Sequence, residues 1–112
     1  MLNTCILAGN LGADPEITYS QSGTPIATFN LAFHSGKDKT SWIRVTAFSH
    51  QAEICEKYLK KGARVAITST LDQEKWETSE GETRTAYKLI ANSIEFIKTK
   101  NGDKVQDEDM PF

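Results

Sequence analysis

Trp42-Ile43-Arg44-Val45-Thr46-Ala47-Phe48, followed by Ser49-His50-Gln51-Ala52-Glu53-Ile54-Cys55-Glu56-Lys57-Tyr58-Leu59-Lys60-Lys61-Gly62, changes its hydrophobic period partway along. Over the first seven residues the period is two. Ile43, Val45 and Ala47 share one face, and Trp42, Arg44, Thr46 and Phe48 share the other, which predicts a strand. From Ser49 onward Ala52, Cys55, Tyr58 and Leu59 repeat at helical spacing. Ser49 is placed to N-cap a short helix, Lys60-Lys61 to occupy its last turn, and Gly62 to end it.

Strands are predicted on both sides of this stretch. Thr4-Cys5-Ile6-Leu7-Ala8-Gly9 is a short apolar run closed by Gly9-Asn10-Leu11-Gly12, and Asp14-Pro15 marks a turn. From Pro25 to His34 the residues alternate, with Ala27, Phe29, Leu31 and Phe33 on one side. Ser35-Gly36-Lys37-Asp38-Lys39 is expected to be a polar loop. After the helix, period two resumes from Arg64 to Leu71, with Val65, Ile67 and Leu71 expected to face inward. The turn Ser79-Glu80-Gly81 lies between Lys75-Trp76-Glu77-Thr78 and Thr83-Arg84-Thr85 and predicts a long projecting hairpin. Tyr87 to Ile97 is the last apolar strand. Three strands, a helix and two strands is the order of an all-β, five-stranded Greek-key barrel of the OB type.

The chain of 112 residues is 38% apolar and 25% charged, the composition of one globular domain. No run is long enough for a membrane span and no signal peptide is evident, so a cytoplasmic, nucleoid-associated address is expected without a membrane partner. Cys5 and Cys55 form no CxxC pair, and His34 and His50 lie far apart, so neither a metal nor another cofactor is expected. Both cysteines are expected to be small buried apolar residues. Net charge is −2, but Asp107, Glu108 and Asp109 supply that excess; without them thirteen basic residues face twelve acidic ones. Net charge therefore does not argue against a polyanionic partner, and local placement decides.

Candidate binding residues lie on the third strand and the hairpin. If Ile43, Val45 and Ala47 fill the barrel, Trp42 and Phe48 present aromatic surface outward beside Arg44. Such rings call for a cover: stacked bases, a neighbouring subunit, or, with the faces inverted, the core itself. Trp76, beside Lys75 in a polar arm, has few apolar neighbours to bury it, and flat rings suit unpaired bases. Lys75, Arg84 and Lys88, with Lys39 before the third strand, are candidate phosphate contacts. Asp72 and Glu74 read as a solvated face. His50 is at most a weak phosphate contact. No GxSxG, P-loop, HExxH or paired-carboxylate arrangement is present, so no catalytic residue is assigned and the protein is not expected to be an enzyme.

From Lys98 to Gln106 the apolar pattern stops, and the chain then runs Asp107-Glu108-Asp109-Met110-Pro111-Phe112. Consecutive carboxylates resist desolvation, so this segment reads as a tag whose aromatic tip enters a partner's pocket while its acids meet a basic rim. The expected organisation is an OB domain over 1–97, a short flexible linker over 98–106 and an acidic protein-interaction tip over 107–112.

With these segments in order, the chain resembles the bacterial single-stranded DNA-binding protein family over nearly its whole length. The resemblance is carried by Ile6 to Glu16, Trp42-Ile43-Arg44-Val45 with Phe48, Glu56 to Gly62, Lys75-Trp76, and Asp107 to Phe112. It implies an OB-fold, assembly as a homotetramer, and wrapping of single-stranded DNA without sequence preference. It also implies that Trp42, Phe48 and Trp76 stack on or pack against bases. Asp107, Glu108, Asp109, Met110, Pro111 and Phe112 would recruit replication, recombination and repair proteins.

The chain also departs from that family. A tryptophan common after the second strand is absent, with Lys37 near its place. The arm reads Asp72-Gln73-Glu74-Lys75 where relatives are often more basic, which predicts weaker binding and a shallower salt dependence. The long Gly/Gln-rich linker is cut to a few residues, which shortens the reach of the tip. Two rival readings remain at this level: an OB-fold protein-interaction adaptor and an RNA-binding module.

Overall fold

In a computed structural model of the chain, which describes residues 2–98, seven elements follow one another. They are β1 (Cys5–Leu11), β2 (Glu16–Tyr19), β3 (Pro25–Gly36), β4 (Lys39–Phe48), α1 (His50–Tyr58), β5 (Arg64–Glu77) and β6 (Thr83–Lys98). The expected linker and acidic tip lie outside the described residues.

The strands pair in the order β1-β5-β6-β4-β3-β2, and a further β1–β3 pairing closes five of them into a barrel. That seam is short, Asn10 opposite Ala32 and Leu11 opposite Leu31, and it depends on Gly9. A Cβ at position 9 would run into the carbonyl oxygen of Ala32, so only glycine lets the two backbones approach. The other distinctive contact is parallel: Arg44, Val45 and Thr46 of β4 lie beside Lys88, Leu89 and Ile90 of β6. Register shifts between Arg64 and Val65 and between Thr68 and Ser69 interrupt the β5–β6 ladder, giving the bends a small closed barrel needs.

The inward residues match the alternation. Ala27, Phe29, Leu31, Val45, Ala47, Val65, Ile67, Leu89 and Ile94 are buried, and Ala52, Ile54 and Cys55 of α1 join the same core. Tyr58 meets Phe96 edge-on at a centroid distance of 5.5 Å, an arrangement favoured by ring quadrupoles.

Several local expectations need correction. Glu16–Tyr19 is a strand, paired with Thr28 to Pro25; at four residues it is too short to show a period. The expected loop at 35–39 is mostly ladder, since Gly36 pairs with Lys39 and only Lys37 and Asp38 form the turn. Leu71 is 43% exposed, because β5 has left the barrel by that point and is entering the arm. Cys55 is buried, but Cys5 is only half-buried, and both are free thiols.

The ends of the helix differ too. Ser49 occupies the N-cap position but makes no side-chain capping bond, and its φ of 53° is left-handed. Its N–H donates instead to the Pro25 carbonyl at 3.0 Å, and its own carbonyl accepts from Glu53 N–H at 3.0 Å. The residue thus turns the chain sharply from strand into helix. At the other end α1 stops at Tyr58, so Lys60-Lys61 lie beyond it. Gly62, at φ 87°, serves the turn into β5, where its N–H donates to the Leu11 carbonyl at 2.9 Å.

Candidate nucleic-acid interface

The outer face of β4 carries Trp42 and Phe48, 59% and 42% exposed, with Arg44 also exposed. The faces are therefore as expected and not inverted. Burying Ile43, Val45 and Ala47 forces their even-numbered neighbours outward. Thr46 is the exception, outward by alternation yet only 7% exposed. It separates Phe48 from the Trp42–Arg44 end.

Pairing extends this surface across three strands. Arg44 lies beside Lys88 on β6, and Lys88 lies opposite Asp72 on β5. Further along the hairpin Glu74 faces Ala86 and Trp76 faces Arg84. Residues two apart on a strand share a side, so Trp42, Arg44, Lys88, Arg84 and Trp76 belong to one continuous surface from barrel wall to arm. Trp76 is 49% exposed. The arm ends in the turn predicted from Ser79-Glu80-Gly81, with Gly81 at φ 85° and Thr78 N–H donating to the Glu82 carbonyl at 2.8 Å.

The remaining cations are placed differently. Lys75 faces Thr85 and so projects from the side of the arm opposite Trp76. Tyr87, 56% exposed, shares that reverse side and accepts a hydrogen bond from Gln73 Nε2 at 3.1 Å. It is an aromatic that the reading of the last strand as apolar passed over. Lys39 opens β4 and alternates with Trp42 as Lys75 does with Trp76. His50 is exposed at the start of α1, its Nδ1 3.9 Å from Glu53 Oε2.

Two ion pairs bear on the electrostatics. Arg84 meets Glu82 at 3.2 Å with both side chains 60% exposed, an arrangement that water and salt readily loosen. Lys88 Nζ lies 2.6 Å from Glu74 Oε1 with the lysine only 20% exposed. The hydrogen bond and charge of Lys88, with a smaller contribution from Arg44, hold the Glu74 carboxyl below its ordinary range. Glu74 is thus 43% exposed, as a solvated face would have it, and is also engaged with Lys88 on this surface. Counting back across the hairpin turn would have found it, since the turn sets Asp72 against Lys88 and leaves Glu74 one diagonal away.

Among the described residues no group of three or more His, Cys, Asp or Glu is arranged to hold a metal ion. No helix among them is long and apolar enough to cross a membrane.

Comparison with known proteins agrees with this architecture. Residues 2–97 match the single-strand binding protein family. The chain is 35% identical to single-stranded DNA-binding protein 1 of Staphylococcus aureus strain Mu50, across 96% of its own length and 73% of that protein's. It is 34% identical to the single-stranded DNA-binding protein of Caldanaerobacter subterraneus subsp. tengcongensis, across 91% and 72% of the two chains. Among solved structures, the Plasmodium falciparum SSB in complex with ssDNA superposes with a TM-score of 0.79 at 29% identity, covering 88% of this chain and 96% of that one. With the closed barrel, the inter-strand helix and the projecting arm in place, the chain belongs to the bacterial single-stranded DNA-binding protein family.

Proposed function

We propose that the protein binds single-stranded DNA without sequence preference and protects it during replication, recombination and repair. The observation that carries this reading is the aromatic pair Trp42 and Trp76, about half exposed, on one surface with Arg44 and Arg84. Exposed indoles give every base a flat partner while guanidinium groups neutralise the backbone, and neither reads sequence. Lys39 and Lys75, projecting from the opposite side of their strands, serve a path that wraps around the arm. Phe48 extends the aromatic track along β4.

Assembly as a homotetramer fits the exposed Ile6 of β1, 70% accessible, which a second copy would cover. The acidic tip, Asp107 to Phe112, recruits replication, recombination and repair enzymes, its ring entering an apolar pocket and its carboxylates meeting a basic rim. The protein acts by binding alone.

Titration with long oligo(dT) tests the central reading. Bound strands quench tryptophan emission, added salt releases them, and mass measurement on the same samples counts protomers. Emission unchanged by oligo(dT) at low salt overturns the proposal. An equal-length RNA strand, which carries the 2′-hydroxyl, should compete less well. Deleting Phe112 should leave oligo(dT) binding intact and remove capture of partner enzymes.

A further inference from the structure

Glu74 lies on the arm's aromatic side, in the row of even-numbered residues that holds Asp72 and Trp76. Its partner Lys88 is neither directly opposite nor adjacent in sequence. The residue opposite Glu74 is Ala86, and Lys88 lies one diagonal further along. Ala86 offers nothing beyond a Cβ to intervene, so the carboxylate reaches across and closes to 2.6 Å. On the other flank Lys88 is in register with Arg44, whose charge also acts on Glu74. Lys88 therefore stands between an anion carried by the arm and a second cation of the candidate interface, at the junction of arm and barrel.

Resting on the single-stranded DNA reading above, we propose that Glu74 is a built-in competitor for nucleic-acid phosphate. It occupies Lys88 and offsets part of the charge of Arg44, and a strand reaches the Lys88 ammonium only by displacing it. The two ion pairs on this surface then play different parts. Arg84 and Glu82, both 60% exposed, exchange partners freely. Lys88, only 20% exposed, is withheld. The carboxylate thus sets the affinity and salt sensitivity of the interface without touching a base.

The test compares the full-length protein with Glu74→Gln in oligo(dT) titrations followed by tryptophan emission over a ten-fold range of salt. Freeing one cation for a phosphate makes the plot of log K against log salt steeper by about 0.7 for a single strand. Glu74→Gln is therefore expected to bind more tightly at low salt, its advantage shrinking about five-fold across that range. Lys88→Gln should cost more affinity in the Glu74→Gln background than in the wild type, because only there is the ammonium released from Glu74, with Asp72 opposite it in both. Glu56→Gln, the same charge change on α1, should bind as the wild type does and separates a local effect from net charge.

A Glu74→Gln protein that binds no more tightly, or whose salt slope is unaltered, overturns the inference while wild-type binding upholds the reading of the surface. Equal effects of Lys88→Gln in both backgrounds overturn it as well. A wild-type protein that fails to bind oligo(dT) overturns the reading itself, and this inference with it.

Discussion

The indole of Trp42 rests against Gly12: a Cβ built at position 12 would stand 2.5 Å from Cζ3 and 2.9 Å from Cη2 of that ring. Gly12 is not among the residues with positive φ, so alanine there meets no backbone penalty, and its effect passes through the ring. Gly12→Ala is expected to push the indole off its seat, shift the tryptophan emission of the free protein and weaken oligo(dT) binding. The loss should be smaller than that of Trp42→Ala, which on the proposed reading removes a stacking surface worth about 1–3 kcal/mol. Fluorescence spectra and binding isotherms of both variants check the order. An unchanged affinity for Gly12→Ala would mean that the seat does not position the ring.

Trp76 gives a cleaner separation of binding from stability. It projects from the arm, half exposed, with Arg84 opposite, and contributes nothing to the buried cluster. Trp76→Ala is expected to shift the unfolding free energy within about 0.5 kcal/mol, as surface substitutions do, while weakening oligo(dT) binding by about 1–3 kcal/mol. Trp76→Phe should retain much of the affinity. Urea melts alongside titrations distinguish the outcomes, and loss of stability without loss of binding would remove Trp76 from the interface.

These residues also mark how much of the fold and of the interface is legible in the sequence. Trp42 and Phe48 were legible because burying Ile43, Val45 and Ala47 leaves alternating neighbours no other side, and the same parity gave the barrel strands. Ser49 misled because capping preference speaks to hydrogen bonding, whereas tertiary geometry demanded a left-handed corner there. Leu71 misled because a period says which side a residue takes but not where the barrel ends. The Lys88–Glu74 pair follows from register across a hairpin, and its neighbour Arg44 from a parallel pairing with β4. The hairpin register can be counted from its turn, whereas the parallel pairing that brings Arg44 beside Lys88 is invisible to local pattern.

Barrel closure rests on position 9. Because the obstacle facing a Cβ there is the Ala32 backbone carbonyl, no side-chain rotation can make room, and strands β1 and β3 must separate. Gly9→Ala is expected to cost about 1–3 kcal/mol or more, as overpacking does. It should appear as a lower urea midpoint at unchanged m-value. A midpoint equal to the wild type would show that the seam has slack.

Cys55 links stability to alkaline pH. The thiol is fully buried against the core, and desolvation pushes its pKa up to about 12 from 9.0, opposed only in part by a backbone hydrogen bond. In the unfolded chain the same thiol ionises near its ordinary value. Below pH 9 both states hold the proton and the group contributes no slope. Between pH 9 and about 12 the unfolded state binds fewer protons than the native one, so stability falls as pH rises. The slope from one group is at most about 1.4 kcal/mol per pH unit. Cys55→Ala isolates this contribution: its stability should decline less steeply above pH 9. Identical slopes in the two proteins would place the thiol in contact with water, and iodoacetamide would then modify Cys55 in the native protein near pH 8, where a buried, protonated thiol resists it.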